Sequence, residues 1–156
     1  MVKIVIFDLD LTLWNHPDAS ALTPPFEKLD ESTLVDSKGE ELKLHKCARM
    51  ILGFLKKKGY KLAIASWNEY DIVIQVLRIL DLVKYFDFIV IKPHFRKEEM
   101  VEEILEFFKN NNIESVYFID DNPELINRVK KKFPWVKTIV FGFEVSTLCD
   151  LTPHFI

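Results

Sequence analysis

The stretch VIFDLDLTLW, residues 5–14, places two aspartates one residue apart at the end of an apolar run. Asp8 and Asp10 carry like charges at a point where the chain on both sides consists of core-forming residues. Buried carboxylates are costly unless a positive charge or hydrogen bonds compensate them. The residues that follow the other apolar runs of the chain indicate what the compensating partner is.

Five short apolar runs, rich in β-branched and aromatic residues, predict buried strands. The runs are continuous rather than alternating, which is typical of a parallel sheet that is covered by helices on both faces. They are VKIVIF (2–7), KLAIAS (61–66), FDFIVI (86–91), SVYFI (115–119) and KTIVF (137–141).

Amphipathic patterns lie between these runs. Apolar side chains recur at i, i+3 and i+4, which predicts helices over residues 46–58, 69–82, 98–109 and 123–133. Gly59 follows three lysines, as is typical of a helix C-terminus. The alternation of strands and helices predicts an α/β fold: one domain over residues 1–156, with a Rossmann-like, doubly wound parallel sheet of about five strands.

One segment interrupts this alternation. Residues 15–45 lie between the first strand and the first long helix, and they contain three prolines. Within them, LVDSKGEELKL (34–44) has apolar ends around an Asp-Ser-Lys-Gly turn, which predicts a β-hairpin. An insertion after the first strand lies at the carboxyl edge of the sheet, where such folds bind ligands.

Composition excludes several classes of protein. The chain has 156 residues, 49% hydrophobic and 29% charged, which fits a globular domain rather than a disordered one. The net charge of −3 gives no basic excess for nucleic-acid binding, and no apolar run approaches the roughly 20 residues of a membrane span. MVKIVIFDLD (1–10) lacks the pattern of a signal peptide. Cys47 and Cys149 form no CxxC pair, so we expect reduced core thiols in a cytoplasmic protein.

Polar side chains follow four of the predicted strands. Because the carboxyl ends of parallel strands meet at one edge of the sheet, we expect these side chains to share one crevice. Several carboxylates in close proximity repel unless a cation compensates them, and oxygen ligands without Cys or His favour Mg²⁺. The residues are, in strand order, Asp8, Asp10 and Thr12; Ser66 and Asn68; Lys92 and Lys97; and Asp120, Asp121 and Asn122.

Such a group of side chains suits phosphoryl transfer. A carboxylate is a competent nucleophile toward phosphorus and gives an aspartyl-phosphate. A second carboxylic acid nearby can protonate the leaving oxygen and then activate water. A lysine and a hydroxyl can hold the phosphoryl oxygens.

These residues resemble the motifs of the haloacid dehalogenase superfamily. Residues 8–12, Asp-Leu-Asp-Leu-Thr, are similar to its first motif, DxDx[TV]; Ser66 is similar to its second, and Asp120-Asp121 to its acidic fourth. FDLDLTLW, TPPF, ASWNE and FIDDN further resemble the small magnesium-dependent phosphatases of that superfamily. In those proteins the insertion is a short loop and hairpin in place of a full cap domain.

The resemblance implies an Mg²⁺-dependent phosphomonoester hydrolase with an aspartyl-phosphate intermediate. Asp8 is then the nucleophile and Asp10 the general acid and base, with the backbone carbonyl of Asp10 on the metal. With Trp14, Asn68 and Asp121 added because they lie beside these motifs, the expected roles are catalytic for Asp8, Asp10, Ser66 and Lys97, substrate-binding for Thr12, Trp14 and Asn68, and metal-binding for Asp8, Asp10, Asp120 and Asp121.

Several of these assignments have alternatives. Lys97 has the spacing expected of the phosphate-site lysine, but Lys92 competes with it. Asp121 either binds the metal directly or lies behind the ligands. Asn68 either caps a helix or contacts substrate, and Trp14 either walls a pocket or packs the loop.

The implied partner is a phosphorylated small molecule, either a sugar phosphate or an aryl or tyrosine phosphate, or a phosphoprotein. We expect a monomer or homodimer that binds neither nucleic acid nor membrane. The alternative is a non-catalytic Mg²⁺- and phosphate-binding or phospho-acceptor module that resembles a receiver domain. Receivers carry their acceptor aspartate at the end of the third strand, where FDFIVIKPH (86–94) has none.

Overall fold

The structure is a computed structural model that describes residues 1–155. Its strands are, in chain order, β1 (Val2–Phe7), β2 (Glu27–Lys28), β3 (Thr33–Val35), β4 (Glu41–Lys43), β5 (Lys61–Trp67), β6 (Phe88–Lys92), β7 (Ile113–Asp120) and β8 (Lys137–Val140). Its α-helices are α1 (Ala48–Lys57), α2 (Tyr70–Ile79), α3 (Lys97–Phe108) and α4 (Pro123–Lys132). All five predicted core strands and all four predicted helices are therefore confirmed.

The main sheet has the strand order β6-β5-β1-β7-β8, and every pair in it is parallel. Counted along the chain, the core strands run 3-2-1-4-5, which is a Rossmann-like order. The order reverses between β1 and β7, and such a switch point is where open α/β sheets bind ligands. Receiver domains have the flavodoxin-like order 2-1-3-4-5, so the alternative interpretation does not fit this topology.

Helices cover both faces of the sheet, which explains the continuous apolar runs. In β1, Ile4 and Ile6 pack on one face, and Val5 and Phe7 on the other; none of the four side chains is exposed. The face of Ile4 and Ile6 packs against α3 and α4, and the opposite face packs against α1 and α2. Four consecutive buried residues are thus the expected signature of the central strand.

Helix ends follow local backbone chemistry. α1 begins at Ala48 rather than at residue 46, because Cys47 adopts a left-handed φ of 71° that no helix can continue. Gly59, with a φ of 88°, follows the C-terminus of α1 as predicted. At α4, Asn122 accepts hydrogen bonds from the backbone N–H groups of Glu124 and Leu125, and Pro123 occupies the first helical position.

The insertion forms a three-stranded antiparallel sheet of β2, β3 and β4. The predicted hairpin is confirmed, with Leu34 opposite Leu42, and both side chains are fully buried in the same hydrophobic cluster as α1. β2 has only two residues, which is too short to give a periodic pattern. The backbone N–H of His45 donates to the carbonyl of Leu13 at 2.8 Å, so the hairpin lies directly against the loop after β1.

The two cysteines form a disulfide, so the prediction of reduced thiols is wrong for this structure. Cys47 and Cys149 are 102 residues apart in sequence, but their Cα atoms lie 5.2 Å apart. The C-terminal 3-10 segment Leu148–Phe155 packs against α1 and brings Cys149 to the start of that helix. Reduced cysteines therefore no longer support the expectation of a cytoplasmic protein. Within residues 1–155, no helix is long and apolar enough to cross a bilayer.

We expect reduction of the Cys47–Cys149 disulfide to lower the free energy of unfolding by about 2–4 kcal/mol, because the link restricts a long loop of the unfolded chain. Urea unfolding of protein purified without reductant, repeated with reductant, measures the loss. Cys149→Ala should be destabilised to a similar degree and should not respond to reductant. Two reactive thiols in the untreated protein, or identical unfolding curves, would contradict the assignment.

Candidate active site

The chain turns sharply as it leaves β1. The carbonyl of Leu9 accepts hydrogen bonds from the backbone N–H groups of Thr12 and Leu13, at 3.0 and 2.9 Å. Leu11 adopts a left-handed φ of 59°, which is uncommon for a residue other than glycine, and its N–H donates to the carbonyl of His16. The strand ends at Phe7, and the turn that follows Asp8 carries Asp10 away from the sheet.

A buried lysine links the ends of β1 and β7. The Nζ of Lys97 lies 2.8 Å from Asp8 Oδ1 and 2.9 Å from Asp120 Oδ2, and it donates to the carbonyl of Ala65 at 2.6 Å. All three ammonium protons therefore have acceptors, although the lysine is only 1% exposed. Lys92 instead is half-exposed near Glu103, so the structure places Lys97 rather than Lys92 among the carboxylates.

Burial dominates the electrostatics of the two carboxylates. It raises the pKa of Asp8 and of Asp120 to about 6, even though the Lys97 ammonium acts to lower both values. Burial also raises the pKa of Asp121. For Lys97, burial opposes the charge, but Asp8 and Asp120 outweigh it and hold the pKa of the ammonium above its usual value. One lysine thus leaves the negative charge of this cluster incompletely compensated.

Three carboxylates are close enough to share a cation. Oxygens of Asp8, Asp120 and Asp121 all lie within 4.8 Å of one another, and they form the candidate metal cluster found within residues 1–155. The donor set is entirely oxygen, which fits a small hard cation such as Mg²⁺. The side chain of Asp10 is not part of this set, so its predicted metal role rests on its backbone carbonyl alone.

Asp10 is held by three hydrogen bonds from outside the carboxylate cluster. Trp14 Nε1 and the backbone N–H of Ala19 donate to its Oδ1, at 2.8 and 3.1 Å. Asn68 Nδ2 donates to its Oδ2 at 2.9 Å. Burial nonetheless raises the pKa of Asp10 above its usual value, and these hydrogen bonds act against that shift.

Thr12 and Trp14 are fully buried and do not line the crevice. For Trp14 this favours the alternative that it packs the loop, whereas the substrate contact of Thr12 stays a prediction. Thr12 Oγ1 lies 3.0 Å from Asp8 Oδ2 and 3.3 Å from Asp121 Oδ1. The indole N–H of Trp14 donates a hydrogen bond to Asp10 Oδ1. Both side chains bond to the aspartates from below the surface of the crevice and do not line it.

Ser66 and Asn68 lie together at the end of β5. Ser66 is fully buried and its Oγ accepts a hydrogen bond from Asn68 Nδ2 at 2.8 Å. Asn68 does not cap α2, because Glu69 occupies the N-cap position and the Asn68 side chain bonds to Asp10 and Ser66 instead. The structure therefore brings Asn68, and not Ser66, to the surface of the crevice.

A crevice of about 500 Å³ lies at the carboxyl edge of the sheet, and its floor is formed by Asp8, Asp10, Asn68, Lys97, Asp120 and Asp121. The sequence placed the carboxylates, Asn68, Lys97 and Asn122 in this crevice, but it did not identify the residues that form its walls. Trp67 could have been found, because it directly follows Ser66 at the carboxyl end of β5, where the crevice lies. The insertion residues that line the crevice could not be recognised in the sequence, because only the tertiary fold brings them there. The additional lining residues are Leu11, Pro17, Asp18, Ser20, Trp67, Glu69, Pro93 and Leu125.

Residues 1–138 match the family model described as acid phosphatase. Human magnesium-dependent phosphatase 1 is 34% identical to the chain over 85 residues, which cover 54% of this chain and 48% of the human protein. The match thus spans about half the length of this curated relative.

Solved structures share the fold at low sequence identity. A haloacid dehalogenase superfamily hydrolase from Ehrlichia chaffeensis superposes with a TM-score of 0.64 and 19% identity, covering 97% of this chain and 94% of that one. The N-terminal, phosphatase-containing part of a Bacteroides fragilis protein, solved with Mg, gives a TM-score of 0.57 and 20% identity, covering 88% of this chain and 35% of that one. The predicted haloacid dehalogenase fold is therefore confirmed.

We expect Lys97→Met to lose about 3–5 kcal/mol of unfolding free energy at pH 7.5, because two buried carboxylates lose their cation. The loss should shrink at pH 5, where protonation of Asp8 and Asp120, whose pKa is about 6, removes the unpaired charge. Urea unfolding at both pH values measures this. The matched control is Lys92→Met at the exposed lysine, and a loss no larger than the control's would contradict the assignment.

We expect Mg²⁺ binding to weaken as the pH falls from 7.5 to 5.5, because protons compete for Asp8 and Asp120, whose pKa is about 6. Calorimetric titration with Mg²⁺ measures the affinity directly. Asp120→Asn should abolish measurable binding, whereas Asp71→Asn, the same chemical change at an exposed helix position, should leave it unaltered. Equal affinity at both pH values would argue against a site built from these carboxylates.

Proposed function

Because residues 1–138 match its model, the chain belongs to the acid phosphatase family, and we propose that it is an Mg²⁺-dependent phosphomonoester hydrolase that works through an aspartyl-phosphate on Asp8. One observation carries the proposal. A buried ammonium, Lys97, joins Asp8 to Asp120 at the switch point of the sheet, beside a second acid, Asp10, that is held separately. Two carboxylates in different environments provide two different chemical roles.

Asp8 is the nucleophile in this proposal. Lys97 holds one of its oxygens and Thr12 the other, so the carboxylate has a fixed orientation at the floor of the crevice. A carboxylate oxygen of Asp8 attacks phosphorus in line, and the bond from phosphorus to the leaving oxygen breaks. The Lys97 ammonium remains within reach of the phosphoryl group and offsets its charge.

Asp10 is the general acid and base in this proposal. Its carboxylic acid gives a proton to the leaving oxygen as that bond breaks, and its carboxylate then accepts a proton from water. The water oxygen attacks phosphorus, the bond between phosphorus and Asp8 breaks, and inorganic phosphate and free Asp8 result. The separate hydrogen bonds of Asp10 support this division of labour, because they keep its side chain out of the carboxylate cluster.

Asp8, Asp120 and Asp121 would hold the Mg²⁺, together with the backbone carbonyl of Asp10. When bound, the cation supplies the positive charge that the single lysine does not, and it stabilises negative charge on the phosphoryl oxygens. Thr12 holds Asp8 and Asp121 in place from below, and the backbone N–H of Asn122 donates to Asp120 Oδ1 at 3.0 Å.

The crevice favours phosphomonoesters whose leaving group has a flat or apolar face. Trp67 lies on its rim with 52% of its surface exposed, and its ring meets that of Phe95 edge to face at 6.0 Å. An aromatic platform of this kind suits an aryl or tyrosine phosphate, or the apolar face of a phosphosugar. A phosphoprotein would also reach the site, since the insertion is only a small three-stranded sheet. A monomeric or homodimeric state and a cytoplasmic location stay predictions.

We expect Asp8→Asn to reduce phosphate release from phenyl phosphate, assayed with Mg²⁺, to less than about one-thousandth of wild type, because the amide is a poor nucleophile. Asp10→Asn should lose about 10²- to 10⁴-fold, the usual contribution of general acid–base catalysis. Both changes nearly conserve shape, and circular dichroism checks the fold. Asp71→Asn is the control. Activity in Asp8→Asn, or full activity in a chelator, would refute the proposal.

We expect Trp67→Ala to raise KM for phenyl phosphate about five- to tenfold, as loss of one aromatic contact would, with kcat within about twofold of wild type. Steady-state kinetics on phenyl phosphate and on a small acyl phosphate separate the two constants. The acyl phosphate, which has no ring, should be hydrolysed with unchanged KM. Trp135→Ala removes an equally exposed tryptophan outside the crevice and serves as control; a matching effect there would remove Trp67 from the substrate site.

A further inference from the structure

We propose that Ser20, in the insertion, is a positioning residue that orients Asp10 through the side-chain amide of Asn68. The inference rests on the proposed function, since it concerns the role of Asp10 as general acid. Ser20 Oγ lies 2.5 Å from Asn68 Oδ1, and Asn68 Nδ2 lies 2.9 Å from Asp10 Oδ2. Neither link was evident in the sequence, where Ser20 and Asn68 are 48 residues apart.

The two oxygens of Asp10 are fixed by different parts of the chain. Oδ1 accepts from Trp14 and from the backbone N–H of Ala19, so the loop after β1 and the start of the insertion hold it directly. Oδ2 accepts from Asn68. The direction of the second oxygen therefore depends on which way the Asn68 amide faces.

The Asn68 amide has two chemically different ends. With its present orientation, Nδ2 donates to Asp10 Oδ2 and to Ser66 Oγ, so both amide protons are used. Rotated by half a turn, the amide would place Oδ1 against the carboxylate of Asp10, and two acceptors would then face each other. Whatever fixes the amide also fixes Asp10.

Ser20 supplies that constraint. Its Oγ accepts the backbone N–H of Glu69 at 2.7 Å, which leaves its single proton for Asn68 Oδ1. Hydrogen bonds thus run in one direction from Glu69 through Ser20 and Asn68 to Asp10, and bonds in such chains strengthen one another. Ser20 is itself held in place, because its N–H donates to the side chain of Asp18 at 3.1 Å.

The chemical consequence depends on the leaving group. A poorly directed Asp10 slows proton transfer to the leaving oxygen, which matters for phenolate, whose basicity is close to that of a tyrosine side chain. Dinitrophenolate is stable without a proton and leaves unaided. A purely structural defect, or damage to Asp8, slows both substrates alike. Because kcat/KM reports only the steps up to formation of the aspartyl-phosphate, it isolates the role of Asp10 as an acid.

The test compares kcat/KM for phenyl phosphate and dinitrophenyl phosphate, with Mg²⁺, in Ser20→Ala, Asn68→Ala and the double variant. We expect Ser20→Ala to lose about tenfold on phenyl phosphate and less than about twofold on dinitrophenyl phosphate, as for one misplaced hydrogen bond to the acid. Ser20→Thr keeps the hydroxyl and should restore the wild-type ratio. The double variant should match Asn68→Ala, because Ser20 acts through Asn68. Ser37→Ala, elsewhere in the insertion, is the control.

Several results would overturn the inference. Equal losses on the two substrates would assign Ser20 a structural role, and additive losses in the double variant would show that it acts independently of Asn68. If wild type is active and Asp8→Asn is inactive, but Ser20→Ala behaves like Ser37→Ala, the inference fails and the proposed function stands. If wild type hydrolyses neither substrate, both fail.

Discussion

The ammonium group of Lys97, buried between Asp8 and Asp120, is the interaction on which the rest of the site depends. It joins the first residue of α3 to the ends of β1 and β7, and through the carbonyl of Ala65 to β5. These elements enclose the point where the strand order reverses. A charged group at such a depth is tolerated only because every one of its protons is bonded, so the geometry of the four elements and the charge of the site constrain each other.

The same interaction explains why the fold carries a reactive site. One lysine compensates only part of the charge of Asp8, Asp120 and Asp121, and burial raises the pKa of all three carboxyls. The uncompensated charge favours a cation, and a cation beside an oriented carboxylate favours a phosphoryl group. The side chain of Asp10 is not part of this carboxylate cluster, because hydrogen bonds from Trp14, Ala19 and Asn68 hold it apart. The acid phosphatase family match and the chemistry of the site therefore lead to the same function.

The sequence predicted the elements of the fold and most of the site for one physical reason. Strands buried on both faces leave a clear apolar signature, and parallel strands deliver the residues after them to one edge, so Asp8 and Asp120 could be brought together without coordinates. Contacts that depend on the path of the loops have no comparable pattern in the sequence. The sequence did not reveal the Cys47–Cys149 disulfide or the contact of Ser20 with Asn68, and it left the role of Trp14 open, because each depends on how irregular segments pack.

The central claim, that Asp8 becomes phosphorylated, is tested most directly by trapping the intermediate. Wild-type protein is mixed with phenyl phosphate and Mg²⁺, quenched during turnover, and treated with borohydride, which reduces an aspartyl-phosphate to homoserine. Peptide mass spectrometry then locates the modified residue. The account predicts homoserine at position 8, and its absence when either substrate or Mg²⁺ is omitted. Homoserine at another aspartate, or active turnover with no trapped residue, would contradict it.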